Sequence, residues 1–333
     1  AIPKGFFPLQ DTAFLLCTTQ AAQDVSYEDM VEKHHALAEI IADDPAVQAY
    51  SHSVGATGGS QSMANGRFWV VLKDRSDRDV SIFEFIERLR PKLEQVPGIV
   101  LFFRAAQDIN LGGGAGPTRT QYQYSLKSSD SGLVAVWANR LTDRLGAMPE
   151  LRDVSNDLQL GASVTRLVID RAAAARFGLT AADIDQTLYD AFGQRQISEY
   201  QTETNQYKVI LEIDPRQRGR VESLAYFHLR SPLTGGMVPL AAVAAIGPPA
   251  TGPLSISHDG LFPAATISFN LAPGVALGDA VNLITRAEAE LGMPATVVGS
   301  FLGTAQAFKD SLATQPLLIL AALLAVYIIL GVL

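Results

Sequence analysis

The chain has 333 residues, with 26 Lys and Arg against 34 Asp and Glu, a formal net charge of −8. That acidic balance argues against a nucleic-acid-binding surface, and the length leaves room for two or three compact units, each with its own core. The single cysteine, Cys17, excludes an internal disulfide framework and any zinc site built on cysteines.

The first residues, Ile2-Pro3-Lys4-Gly5-Phe6-Phe7-Pro8, mix a cation, aromatics and prolines, as a segment leaving a lipid headgroup zone does. They have neither the charged leader nor the long apolar stretch of a signal peptide, and a membrane helix is expected before Ala1. From there one phrase recurs four times: an amphipathic helix ends, a proline follows within a few residues, and a strand begins. The junctions are Asp44-Pro45-Ala46-Val47, Val96-Pro97-Gly98-Ile99, Met148-Pro149-Glu150-Leu151 and Met293-Pro294-Ala295-Thr296. Proline cannot continue a helix and biases its predecessor toward extended backbone, so each junction is a sharp stop.

The helices before these stops carry helical spacing. Ile82, Phe85, Ile86, Leu89 and Leu93 form one stripe, and Ser81 with Glu84 reads as a capping box at its start. Leu133, Val136, Trp137, Leu141 and Leu145 form a second, and Ala280, Val281, Ile284, Ala287 and Leu291 a third. Strands alternate beside them, with Tyr122, Tyr124 and Leu126 on one face and Ile267, Phe269 and Leu271 on another. Each unit is therefore β-α-β, and two units make a split βαβ sandwich of four strands and two helices. The expected class is α+β. Residues 10–107 hold two units in succession. The other two, near 119–158 and 262–300, are expected to pair across the gap between them. The intervening stretch, 161–260, reads as a strand at Val164–Asp170, a helix at Ala181–Ala191 capped by Thr180, and a hairpin of Gln196–Gln201 with Tyr207–Ile213 turning at Thr202–Asn205. From Pro316 to Leu333 the chain is apolar without a charge, about 27 Å of helix against the ~30 Å hydrocarbon core of a bilayer. It is expected to be most of a transmembrane helix, still apolar where the chain stops.

No catalytic set converges in the sequence. His34 and His35 are adjacent on a helix and point about 100° apart, so they read as a solvated surface rather than a metal face. The run Gly112-Gly113-Gly114-Ala115-Gly116-Pro117 lacks the spacing and lysine of a phosphate loop and reads as a connector. Asp43-Asp44, and Asp183 with Asp185, read as helix-end charges. No serine sits in a nucleophile elbow. No metal and no cofactor are expected, and an enzyme is the weakest of the function classes.

Several motifs together resemble the second large periplasmic loop of a resistance-nodulation-division (RND) efflux pump, of the hydrophobe/amphiphile class. They are Gln10-Asp11 with the preceding segment, Asp44-Pro45-Ala46-Val47, Gln107-Asp108-Ile109, Tyr122-Gln123-Tyr124, Pro149-Glu150-Leu151 with Asp153-Val154, and Ala191-Phe192-Gly193-Gln194-Arg195-Gln196-Ile197-Ser198. Thr266-Ile267-Ser268-Phe269-Asn270, Gly299-Ser300-Phe301, Gly303-Thr304-Ala305 and Val326-Tyr327-Ile328 complete the set. The likeness spans the whole chain and is strongest to the branch whose pumps occur as paired, non-identical subunits. It implies a first porter subdomain at 10–107, a second at 117–160 with 261–303, a docking subdomain at 161–260, and a lead-in to a membrane helix at 304–333.

The same resemblance implies a trimer of RND subunits, like or unlike, in the inner membrane of a Gram-negative bacterium. That trimer is driven by protons and works with a periplasmic adaptor protein and an outer-membrane channel. The proton-coupling groups would lie in membrane helices outside this chain, so this portion, mostly periplasmic, would contribute binding of amphiphilic small molecules. The pattern puts Cys17, Trp69, Leu101 and Phe103 at the cleft, although all four also fit plain core packing on strands. It puts a switch loop at 55–66, with Gly55, Gly58, Gly59, Met63 and Gly66. In well-studied broad-range pumps of the family that loop and its rim are rich in phenylalanine, whereas here only Met63, Phe68 and Trp69 are available, which implies a less aromatic, more polar pocket. The alternative within the superfamily is an accessory for lipid or protein export.

Overall fold

The computed structural model describes residues 9–55, 62–108, 119–218, 220–248, 250–253 and 255–332, the side chains of 215, 218, 312, 313, 316 and 332 excepted. The opening segment through Pro8, the glycine run at 112–117, Gly58, Gly59 and Leu333 lie outside the described residues. The chain divides into two compact units. One runs to Ala162 and resumes at Pro253; the other is Ser163–Gly252.

The first unit begins with β1 (Phe14–Ala21), α1 (Tyr27–Ala42), β2 (Val47–Val54), β3 (Asn65–Leu72), α2 (Ile82–Leu93) and β4 (Ile99–Ala105). The strands form an antiparallel sheet in the order β2-β3-β1-β4. Strand alternation sends Leu15, Cys17, Phe68, Val70, Leu101 and Phe103 to one face, where Met30, Leu37 and Ile41 of α1 and Ile82, Phe85 and Leu89 of α2 close over them. Burying each such large side chain stabilises the fold by about 1.5–3 kcal/mol. The expected capping box is present: Glu84 N–H donates to Ser81 Oγ (3.2 Å), and Ser81 N–H donates to Glu84 Oε2 (2.7 Å).

The second sandwich is built from β5 (Tyr122–Lys127), α3 (Ser131–Gly146), β6 (Leu151–Asn156), β7 (Phe262–Leu271), α4 (Leu277–Leu291) and β8 (Val298–Leu302). Strand β7 pairs with β5, placing Ile267 opposite Tyr124, and with β6, while β8 pairs with the far side of β5. The two segments separated by the insertion thus share one sheet. The stripe of α3 is rotated from the expected one. Val134, Ala138, Leu141 and Leu145 are buried, Leu133 and Trp137 pack only partly, and Val136 is 46% exposed. Small Ala138 faces the sheet and lets the helix sit close, a choice that counting large apolar residues overlooks. The last helix of this unit, α5 (Gly303–Val332), places Ala305 and Phe308 in the same core.

The unit Ser163–Gly252 has its own small core of Ala174, Leu179, Ile184, Leu229, Leu240 and Val243. The single strand expected at Val164–Asp170 is instead interrupted at Thr165 and Arg166, and the Arg166 carbonyl accepts from Gly247 N–H (2.7 Å) between two short strands. The helix Ala181–Phe192 starts with a capping box of Thr180 and Asp183. The hairpin follows, Arg195–Gln201 with Gln206–Leu211, and its turn is closed by hydrogen bonds between Thr202 and Asn205. Ile197, Tyr200, Tyr207, Val209, Ile210 and Leu211 are all exposed on it.

Along α5 every described large apolar side chain from Leu317 to Leu330 is exposed. Among the described residues no helix is long and apolar enough to cross a membrane. The described helix within the apolar run, Pro316 to Val332, covers about 25 Å, short of the ~30 Å core. The expected span beginning at Pro316 is therefore not complete among the described residues.

Candidate binding cleft

Helix α2 carries two stripes. Beside the core stripe of Ile82, Phe85 and Leu89 runs a second, Phe83, Ile86, Glu87 and Arg90, at the same i, i+3, i+4, i+7 spacing, with Phe83 and Ile86 packing partly against the first core. This second stripe faces a cavity of about 430 Å³. Leu9, Phe83, Ile86 and Phe103 supply its wall from the first sandwich, and Tyr122, Leu271, Val275 and Leu277 from the second. A second cavity of about 580 Å³ lies along the start of β4, where Gln20, Leu93, Pro97, Leu101 and Phe102 line it.

Polar groups stitch the two sandwiches together at this cleft. Arg90 Nη1 and Nη2 donate to Asp153 Oδ1 (2.5 Å) and Oδ2 (3.1 Å), a fork-on-fork pair. Asn270 Nδ2 donates to Asp153 Oδ2 (2.8 Å) and to the Phe103 carbonyl (2.9 Å), while its Oδ1 accepts from Gln121 N–H (3.0 Å). Burial works against the Arg90 charge, but the bond to Asp153 outweighs it and holds the guanidinium above its ordinary pKa. The Arg90 guanidinium also lies 5.7 Å from the centre of the Phe103 ring. Farther along the seam, Arg119 reaches Gln20 (3.0 Å), and Gln23 bonds the Leu158 carbonyl (3.2 Å) and Gly161 N–H (2.7 Å). The result is an apolar, partly aromatic recess with a few fixed polar groups, the usual make-up of a small-molecule site.

Of the residues singled out from the sequence, Phe103 lines both cavities and Leu101 lines the second. Cys17 lines neither: it is buried in the helix-facing core, and burial pushes its thiol up to about 12. Trp69 also lines neither. It is half-buried on the opposite sheet face, paired in register with Leu16 and Ser51. Gly55 has φ +89, a left-handed conformation suited to glycine, and Met63 is 50% exposed. Gly66 is a strand residue paired with Thr19 and Val54. Its role is local: a Cβ there would lie 2.4 Å from His34 Nε2.

That histidine overturns the expected solvated helix face. His34 is fully buried, with Nε2 3.0 Å from Thr19 Oγ1 and Nδ1 3.0 Å from His52 Nδ1, and its ring stacks on Phe68 at 4.3 Å. The sheet brings together histidines 18 residues apart, which sequence spacing alone could not show. Among the described residues no three His, Cys, Asp or Glu side chains gather as a metal site.

The residues that the sequence reading missed are Arg90, Asp153, Asn270 and the second stripe of α2. One signal was available: Phe83 and Ile86 widen the apolar face of a short helix beyond what a single sheet covers.

A sequence model of the AcrB/AcrD/AcrF family matches residues 1–333. The multidrug resistance protein MdtC of Shigella flexneri is 42% identical over 333 residues, covering 100% of this chain and 32% of MdtC. MdtC of Enterobacter sp. (strain 638) is likewise 42% identical, over 332 residues. The chain spans about a third of the length of these curated relatives. Among solved structures, a heavy metal efflux pump in crystal form I superposes with a TM-score of 0.82 at 21% identity, covering 98% of this chain and 34% of that one. Crystal form II gives 0.79 at 20%. These two likenesses speak to the fold.

Proposed function

The chain belongs to the AcrB/AcrD/AcrF family, and from that premise we propose that it is the periplasmic substrate-collecting and docking portion of a proton-driven RND multidrug transporter. Amphiphilic compounds enter the cleft between its two sandwiches and move toward an outer-membrane channel. The observation that carries this reading is the cavity of about 430 Å³ walled by Phe83, Ile86, Phe103, Tyr122 and Leu271, with charge confined to a few fixed groups. Two sandwiches joined mainly by polar side chains can also slide or part, as a route that must admit and release cargo requires.

In this reading the first sandwich is one porter subdomain, the interrupted sandwich the other, and Ser163–Gly252 the core of the docking part. The bare hairpin, with Ile197, Tyr200, Tyr207 and Val209 exposed, is a ready surface for a neighbouring subunit of a trimer. An adaptor protein completes the path. The segment between β2 and β3, bounded by Gly55 and Met63 among the described residues, serves as the switch loop. The apolar end of α5 meets lipid at the inner membrane. Export of lipid or protein by a non-drug member of the superfamily is less favoured, because the 42% identical relatives are multidrug resistance proteins.

Ala272→Trp tests the reading, since Ala272 lines the cavity and its bond to the Glu150 carbonyl is made by backbone alone (2.9 Å). In the full-length transporter the variant is expected at normal abundance with lost resistance to bulky amphiphilic drugs. Unchanged resistance at unchanged abundance would refute the cleft as the route.

A further inference from the structure

Where α1 lies over the edge strand β2, three imidazoles meet. His34 Nδ1 stands 3.0 Å from His52 Nδ1, the two rings stack with centroids 5.1 Å apart, and the His35 ring meets that of His52 edge-on at 5.5 Å. We infer that His34 and His52 form a chelating site for one divalent transition-metal ion, Cu(II) or Ni(II), held by their two Nδ1 atoms and completed by water. The inference stands apart from the transport reading and concerns the first sandwich alone.

Four observations favour a chelate over a simple hydrogen bond. At most one proton fits between the two Nδ1 atoms, so one of them always turns a bare lone pair toward the other. Their spacing also suits a metal. Donors about 2.0–2.1 Å from an ion and at right angles to each other lie about 2.8–3.0 Å apart, as in square-planar or tetragonal coordination, whereas a tetrahedral ion sets them about 3.3 Å apart. Third, the His34 ring is preorganised. Its Nε2 is 3.0 Å from Thr19 Oγ1, its face stacks on Phe68 at 4.3 Å, and the missing Cβ of Gly66 leaves it no more room than it fills. Donation of Nε2–H to Thr19 leaves Nδ1 bare, the outer hydrogen bond that metal-bound histidines usually make. Fourth, the donors are accessible and unblocked. His52 is only half-buried on an edge strand, and Lys33, the neighbouring cation on α1, is tied to Asp29. Burial pushes the His34 pKa down to about 4, and burial with repulsion from His35 lowers that of His52, so both rings are neutral at pH 7.

Binding replaces the shared proton, which leaves to solvent, and the metal keeps its oxidation state. The ion then clasps α1 to β2, with Cu(II) held more tightly than Ni(II). The test uses the full-length transporter without a polyhistidine tag, stripped by chelator and titrated with CuCl2. Wild type is expected to bind one more Cu(II) per chain than His52→Phe, which keeps an aromatic ring in the stack and removes both nitrogens. Pulsed EPR of that extra copper should show two imidazoles. Thr19→Val, which removes the bond that orients His34, should weaken its binding about tenfold. Copper should also slow hydrogen exchange in α1 and β2 of wild type and leave His52→Phe unchanged. Exchange of the copper-free proteins confirms that each variant is folded. Equal copper in wild type and His52→Phe, a single imidazole in the EPR signal, or copper lost on His35→Ala yet kept in His52→Phe would each assign the ion to an exposed surface histidine and overturn the clasp.

Discussion

The two sandwiches share one plan and answer acid in opposite ways. In each, a glycine in a strand leaves space for a polar contact between a helix and the sheet. In the first, Gly66 makes room for His34 against Thr19; in the second, Gly299 makes room for the Tyr124 hydroxyl, which donates to Glu288 Oε1 at 2.5 Å. Burial lowers the His34 pKa to about 4, helped by repulsion from His52 and His35. Burial raises that of Glu288, against the bond from Tyr124 and the pull of Lys309. The same geometric device, built around a buried base in one sandwich and a half-buried acid in the other, thus gives two subdomains with pKa shifts of opposite direction. Fold alone does not dictate electrostatic response; the residue placed in the gap does.

The most forceful way to break this comparison is to fill the gaps. A Cβ at position 299 would lie 1.9 Å from the Tyr124 oxygen, and one at 66 would lie 2.6 Å from Thr19 Oγ1. Gly299→Ala is expected to cost about 3 kcal/mol and Gly66→Ala about 2 kcal/mol, both read from urea unfolding. Adding Tyr124→Phe to Gly299→Ala should recover part of the loss by removing the clashing hydroxyl. No recovery would mean that the glycine serves some other need.

Acid is the next lever. The unfolded chain protonates His34 near 6.5 and the folded chain only near 4. Its contribution is therefore whole above about 6.5 and is lost as pH falls through that interval. Asp11 acts in the same direction at lower pH. Burial raises its pKa, but bonds from Arg78 and the Ile82 and Ala13 backbone prevail and lower it below 3.8, so its stabilisation fades below that value. Glu288 and Asp157 are raised, mainly by burial, so their folded forms hold protons better than the unfolded chain does. Their contribution is present at low pH and lost as pH rises through their folded values. Hydrogen exchange at pH 7 and pH 5 should show protection falling in β1 and α1 and holding or rising in β5 and α4. Parallel loss in both sandwiches would undo the contrast, and His34→Gln should flatten the response of the first.

The smallest expected effect concerns helix starts. Ser26 and Ser81 cap the helices of the first sandwich, whereas Ala276 at the start of α4 makes no side-chain cap bond. Ala276→Ser should stabilise the second sandwich by about 1 kcal/mol, measured as a rise in its melting temperature, while Ser81→Ala should cost the first about as much.

Much of this fold is legible in the sequence because its signals are local. Proline stops, the Ser81–Glu84 box and the alternation of Tyr122, Tyr124 and Leu126 each rest on residues within a few positions of one another. The pairing of β5 with β7 is also readable, since two orphan β-α-β units need each other. The cleft is far less legible. Phe103 was recognisable by type, yet Arg90 meets Asp153 across 63 positions, and Asn270 reaches Phe103 across 167. Such meetings depend on how two finished sandwiches dock, which no periodicity encodes. Cys17 shows why: it shares a sheet face with its register partner Phe103, but it lies on the central strand β1, whereas Leu101 and Phe103 lie on the edge strand β4, where the cavities are.

Helix α5 is rooted rather than attached. Phe308 is 3% exposed within the second core, while the far half of the same helix presents Leu317 to Leu330 outward. Pro316 falls between the halves, and a prolyl nitrogen contributes no rung to the helical ladder. Mechanically this is a stiff rod set in masonry, with one soft joint partway along. A push or twist on its outer half is delivered first to the second sandwich. Among the described residues, side-chain links from there to the first sandwich include Arg90, Arg119, Gln23 and Asn270. The stiffness of those few side-chain links therefore sets how much of any stroke the first sandwich receives, and how late.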